Sequence, residues 1–201
     1  MKIDAVENGS LNNYTYAVET VEGAILIDPS LGTDKIMNIL GNERVKRIKY
    51  IINTHSHFDH IVNNPFIEKS GCMVIANGLS DIRKDISINM DSTIKLIGIE
   101  VKFILTPGHS NDSMVILMNN NLFTGDTLFV EEIGRVDLPE SSPEEMYRSL
   151  YKKIMVMPDE TVIYPGHNYG PTPTSTLGRE KKKNPWLSCN SEQEFIKKIS
   201  E

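Results

Sequence analysis

Thr54-His55-Ser56-His57-Phe58-Asp59-His60 gathers three imidazoles and a carboxylate directly behind the apolar run Lys49-Tyr50-Ile51-Ile52-Asn53. Residues i and i+2 of an extended segment project to one side, so His55 and His57 can grip the same ion. Asp59 and His60 come after the chain begins to turn, which can aim them at a second ion beside the first. Working outward, the remaining histidines repeat the pattern. His109 ends Phe103-Ile104-Leu105-Thr106-Pro107-Gly108, and His167 ends Val162-Ile163-Tyr164-Pro165-Gly166. Asp126 arrives the same way, behind Leu122-Phe123-Thr124-Gly125. All five histidines of the chain therefore lie in turns that follow apolar runs. Strand ends feeding loops at one rim of a sheet are where α/β proteins gather their sites. One such histidine alone is ordinary; the whole set points to metal ligation.

The expected ligand set divides in two. His55, His57 and His109 hold one ion, Asp59, His60 and His167 hold the other, and Asp126 lends an oxygen to both. Asp59 and Asp126 are also the candidate catalytic carboxylates. A nitrogen and oxygen shell with an open position belongs to catalytic sites rather than structural ones. The expected cofactors are two divalent metal ions, zinc first, with iron or manganese as alternatives. Two cations about 3.5–4 Å apart can share a water and lower its pKa from about 15.7 towards about 7. Hydroxide is then available without a serine or cysteine nucleophile. Ser56 and Ser110 sit beside ligands but lack the flanking groups of an activated nucleophile, and turn roles are expected for both.

Bulk properties narrow the class. The 201 residues suit one domain spanning 1–201, with 190–201 as a short helical tail. The longest apolar run, Met114 to Met118, is far too short to span a membrane. No apolar signal segment follows Met1, and Cys72 and Cys189 form no CxxC pair, so a reducing cytoplasm is the expected location. A net charge of −6 argues against nucleic acid as a partner. The basic cluster of Arg179, Lys181, Lys182 and Lys183 reads as a solvated helix face.

Short strands are expected at Tyr14–Val18 and Ala24–Ile27, forming a hairpin, and at Ile48–Ile52, Met73–Ala76, Ile94–Ile97, Val101–Leu105, Met114–Met118, Leu122–Phe123 and Thr161–Tyr164. Helices are expected at Asp34–Leu40, Leu79–Lys84, Pro143–Lys153 and Thr176–Lys183, the third capped by Ser141 or Ser142. Many strands with interspersed helices imply an α/β or α+β sandwich.

Thr54 to His60, Thr106-Pro107-Gly108-His109-Ser110, Thr124-Gly125-Asp126-Thr127-Leu128-Phe129 and Tyr164-Pro165-Gly166-His167-Asn168 together resemble the metallo-β-lactamase superfamily over roughly residues 10 to 190. The resemblance implies an α/β fold, the αβ/βα four-layer sandwich of two mixed β-sheets flanked by helices, with metals at one edge. Ile133-Gly134-Arg135-Val136-Asp137-Leu138-Pro139, Ser175-Thr176-Leu177-Gly178-Arg179-Glu180 and Asn184-Pro185-Trp186-Leu187 resemble the glyoxalase II (hydroxyacylglutathione hydrolase) branch and the persulfide dioxygenases. β-Lactamases place a cysteine where Asp126 stands, so β-lactam hydrolysis is not expected. Full-length glyoxalase II carries a helical C-terminal domain that is not matched here.

The first expectation is a binuclear hydrolase acting on a thioester or small ester. The alternative is a persulfide dioxygenase with one iron held by His55, His109 and Asp126, since two histidines and a carboxylate form the facial triad of non-haem iron oxygenases. A non-catalytic metal-binding module is the third. The expected partner is a small molecule, a thiol conjugate among the candidates; the oligomeric state stays open, a homodimer included. Arg135, Asn168 and Tyr169 are candidate substrate contacts, with a salt bridge to Asp137 the competing role for Arg135. Asn53 and Thr54 should support the ligands beside them by hydrogen bonds. Trp186 reads as core.

Overall fold

Alternation along the strands explains the layering. In β2 (Asn13–Thr20), Tyr14, Tyr16 and Val18 face one core while Ala17 faces another; in β3 (Gly23–Ile27), Ile25 and Ile27 part from Ala24 and Leu26 in the same way. Strands covered on both faces read as unbroken apolar runs for this reason. The computed structural model describes residues 1–8, 12–30, 40–68 and 71–201. The helix expected at Asp34–Leu40 falls almost wholly outside them.

Two six-stranded mixed sheets are formed. The first runs in chain order: β1 (Lys2–Asn8), β2, β3, β4 (Ile48–Ile52), β5 (Met73–Asn77) and β6 (Ile86–Ile88). The second contains β7 (Ser92–Leu96), β8 (Ile99–Leu105), β9 (Met114–Met118), β10 (Asn121–Gly125), β11 (Val162–Pro165) and β12 (Ser175–Thr176). Tyr16, Ile25, Ile52 and Ile75 of the first sheet meet Phe103, Met114, Ile116 and Phe123 of the second in one buried cluster. Each outer face packs against its own helical layer, so the architecture is the two-sheet, four-layer α/β sandwich expected.

Helices α1 (Asn42–Val45), α2 (Phe58–Ile61) and α3 (Asn64–Ile67) belong to the first half. In the second, Ser142 caps α4 (Pro143–Arg148), accepting the Glu145 N–H at 3.2 Å, and the helix continues as a π-helical segment over Ser149–Ile154. The Thr176 side chain caps α5 (Leu177–Lys183), and the tail forms α6 (Glu192–Ile199), which buries Phe195. Trp186 packs against the same cluster as expected.

Two expectations fail locally. Leu79–Lys84 is not helical: the Asn77 carboxamide oxygen accepts the Leu79 N–H at 3.0 Å, Ser80 Oγ donates to Asp112 at 2.7 Å, and Leu79 lies exposed with no apolar face to cover. Ile97 is not in a strand either. With φ +40 it shares with Gly98 (φ +80) the two-residue turn between β7 and β8, the primed geometry that hairpin twist favours. Among the described residues no helix is long and apolar enough to cross a membrane.

Strand direction decides where the site lies. β3, β4 and β5 are mutually parallel, so Asp28 and Thr54–His60 leave the first sheet at one rim. β8 and β10 are both antiparallel to β9, and β10 is parallel to β11, so His109, Asp126 and His167 leave the second sheet together. Backbone bonds stitch the rims: Met114 N–H donates to Thr54 O, and Tyr14 N–H to Gly166 O, each at 2.8 Å.

Candidate metal centre

The structure brings all seven expected ligands together. His55, His57 and His109 converge, as do Asp59, His60 and His167, and Asp126 converges with His55 and His60; in each group the ligand atoms lie within 4.8 Å of one another. His57 Nδ1 is 3.1 Å from His55 Nε2 and 2.9 Å from His109 Nε2. His60 Nε2 is 3.3 Å from His167 Nε2. Asp126 lies between the groups, Oδ2 at 3.5 Å from His109 and 3.3 Å from His167, Oδ1 at 3.3 Å from His60.

Outward hydrogen bonds fix which ring nitrogens face inward. His109 Nδ1–H donates to the Arg135 carbonyl at 2.9 Å, and His60 Nδ1–H to Asp28 Oδ2 at 2.9 Å. Thr54 Oγ1 donates to Asp28 Oδ2 at 2.6 Å and so accepts from His55 Nδ1–H at 3.1 Å. The three Nε2 atoms are thereby turned inward. Such a set is reconciled by a cation, and this carboxylate-to-histidine support is how ligating imidazoles are held.

The charge pattern tests the same fit. Among the described residues, the ion-pair partners of Asp28, Asp59 and Asp126 are histidines and never lysine or arginine. Asp126 Oδ1 is buried and accepts no hydrogen bond. Buried carboxylates need paired charge or a metal, so the donor set fits divalent cations. Burial raises the Asp126 carboxyl, but His60, His167 and His55 together hold it well below the usual carboxylate range. Burial lowers His167, yet Asp126 and Asp59 lift it to about 9. His60 is raised well above its ordinary value, Asp126 and Asp28 outweighing burial. Burial, reinforced by His60, pushes His55 well down.

Glycines permit the approach. Gly125 has φ +49, and a Cβ there would come within 2.5 Å of Thr54 Oγ1. A Cβ on Gly166 would lie 2.3 Å from Asp126 Oδ1.

The three substrate-contact candidates are placed differently. The exposed Arg135 guanidinium is paired in a fork with Asp137, at 2.6 and 2.7 Å, and only its carbonyl reaches the site. Asn168 donates to Glu7 at 2.9 Å. Tyr169 stacks on His167 with centroids 4.8 Å apart and planes at 7°, edge-on to Phe129 and more than half exposed at the mouth of the site. Asn53 supports the ligand turn as expected, its Nδ2 donating to the His60 carbonyl at 3.2 Å. Ser110 is tied into its own turn by Asp112 and Ser113. Sequence reasoning missed Asp28 and Asn13. Asp28 carried a signal, since Ala24-Ile25-Leu26-Ile27-Asp28 is another apolar run ending in a carboxylate. Asn13 carried none; its Nδ2 donates to Asp59 Oδ2 at 3.0 Å from the entry of β2.

Known proteins resemble this chain in sequence and in fold. Residues 9–75 and 68–167 match the family model of the metallo-β-lactamase superfamily. The chain is 33% identical over 190 residues to mitochondrial persulfide dioxygenase ETHE1 of Bos taurus, covering 92% of this chain and 74% of that protein. It is 29% identical over 194 residues to the probable polyketide biosynthesis zinc-dependent hydrolase PksB of Bacillus subtilis, covering 92% and 86%. The crystal structure of ETHE1 from Myxococcus xanthus superposes with a TM-score of 0.92 at 27% identity, over 100% of this chain and 90% of that one.

Proposed function

Because the chain belongs to the metallo-β-lactamase superfamily and gathers its histidines and buried carboxylates into one cation-ready rim, we propose that it is an iron-dependent persulfide dioxygenase. One observation carries this choice over hydrolysis: similarity to persulfide dioxygenases at 33% identity over 92% of the chain. His55, His109 and Asp126 would hold the iron, a facial triad that leaves positions open. The iron, when bound, supplies the redox chemistry that adds dioxygen to sulfur. The chain's own residues supply the rest. Thr54 and the Arg135 carbonyl hold the two imidazoles in the ligating tautomer. Gly166 keeps Asp126 free of steric conflict, and Gly125 does the same for Thr54. Tyr169, stacked on His167 and open to solvent, offers a face against which a small thiol-derived substrate can lie.

The second reading, a binuclear hydrolase of thioesters or small esters, is favoured by a second donor set, Asp59, His60 and His167, with the likeness to PksB beside it. Elemental analysis of purified protein, with oxygen uptake on glutathione persulfide, separates the two. The dioxygenase reading expects iron near one per chain and oxygen consumed. Two metals per chain with thioester hydrolysis and no oxygen uptake would replace it by the hydrolase.

A further inference from the structure

Asn13 is fully buried, and its amide stands among the donors of the second set. Nδ2 lies 3.0 Å from Asp59 Oδ2 and 3.5 Å from both His60 Nε2 and His167 Nε2. Those three atoms are 3.3, 3.4 and 3.7 Å from one another. Ligand atoms about 3.4 Å apart suit a tetrahedral ion with bonds of about 2.1 Å. The amide therefore faces the atoms a second cation would require. Its orientation follows from Asp59, because an inward carboxamide oxygen would oppose a carboxylate oxygen at hydrogen-bond distance, whereas N–H donates to it. Asn13 Oδ1 correspondingly accepts nothing. The amide is also anchored: Asn13 pairs with His167 in an isolated bridge, and Tyr14 N–H binds Gly166 O at 2.8 Å.

We propose that Asn13 limits the number of metal ions the chain holds: its amide donates to Asp59 Oδ2 and stands against His60 Nε2 and His167 Nε2, which disfavours the second cation while the first site is untouched. The inference rests on the single-iron reading above. A cation entering the second site must break the Asn13–Asp59 hydrogen bond and leave a buried amide unsatisfied, which weakens it relative to the first.

Chelator-stripped wild-type, Asn13→Ala and Asn13→Ser proteins titrated with zinc chloride by calorimetry, with elemental analysis of the products, test this. The wild type should bind one tight equivalent and a second much more weakly. Both variants should keep the first equivalent and tighten the second by about tenfold or more, a factor typical of groups that support ligands. A wild type with two equally tight equivalents overturns the single-metal reading and this inference with it. A wild type with one tight equivalent and variants whose second is unchanged or weaker overturns the inference alone. Variants that lose the first equivalent also overturn it, since Asn13 would then be holding up the whole centre.

Discussion

Asp28 and Glu180 are both solvent-excluded acids, one in each half of the molecule, and each collects several hydrogen bonds. Asp28 accepts the Thr54 N–H at 2.7 Å, the Thr54 hydroxyl at 2.6 Å and His60 Nδ1 at 2.9 Å. Every donor belongs to the ligand turn. Glu180 accepts the Glu131 N–H at 2.6 Å, Asn184 Nδ2 at 3.3 Å, the Ser175 hydroxyl and Arg179 Nη1 at 3.2 Å. None of those donors is a candidate ligand. Burial and hydrogen-bond number are alike; what differs is where the donors lead. A buried acid bonded to imidazole tunes a metal centre, while one bonded to loop backbone and hydroxyls holds the frame.

Metal removal should split the two regions most. A ligand at about 1,000 times its Kd contributes about 4 kcal/mol to the folded state, and chelation should remove stability of that order. Amide exchange should accelerate at Thr54–His60 and stay protected at Glu131 and Asn184. Equal acceleration at both places would show that the centre and the Glu180 frame unfold as one unit. Next in size is Glu180→Ala. It strips an acceptor from the Ser175 hydroxyl, the Asn184 amide and the Glu131 N–H, at about 1 kcal/mol each, so denaturant unfolding should register a loss of about 3 kcal/mol. The folded fraction at low temperature should still carry its full metal content; metal lost in step with stability would erase the contrast with Asp28.

Asp28→Asn should do the reverse. Asp28 has φ +47, a left-handed conformation that asparagine also tolerates, so the backbone is not strained by the change. An amide in place of the carboxylate weakens the hold on His60 and on the Thr54 hydroxyl. Metal affinity should fall about 10- to 100-fold, read by competition with a chromogenic chelator. Unfolding of the metal-free protein should change far less than in Glu180→Ala. A variant with wild-type affinity would demote Asp28 to a frame residue like its counterpart.

This contrast also marks how far the sequence could be read. The seven candidate ligands were legible because each lies in a turn that closely follows a short apolar run, and the strand directions then bring those turns to one rim. Asp28 shows the same local pattern, yet its bond to His60 spans 32 residues, and nothing local announces a partner at that distance. Asn13 was illegible because its position depends on β2 entering, antiparallel, at the rim where β3 leaves. The Leu79–Lys84 error has a similar source: an Asn77 side chain and a distant Asp112 hold that segment. The sandwich itself was legible from strand alternation and motif resemblance, whereas β1, the three-residue β6 and the two-residue β12 carried too little pattern to be read.

Thr54→Val gives the smallest and most discriminating effect. Valine keeps the shape of threonine, and the backbone N–H to Asp28 Oδ1 survives, so only the hydroxyl between His55 and Asp28 is lost. His60 retains its own bond to Asp28. Metal affinity should therefore fall by less than about tenfold, short of the Asp28→Asn loss. If the hydroxyl acts by passing the carboxylate's pull to His55, the double variant Asp28→Asn, Thr54→Val should bind metal no more weakly than Asp28→Asn alone, because residues in one network do not add. Losses that multiply would mean that Thr54 orients His55 independently, and that Asp28 governs only the His60 side of the centre.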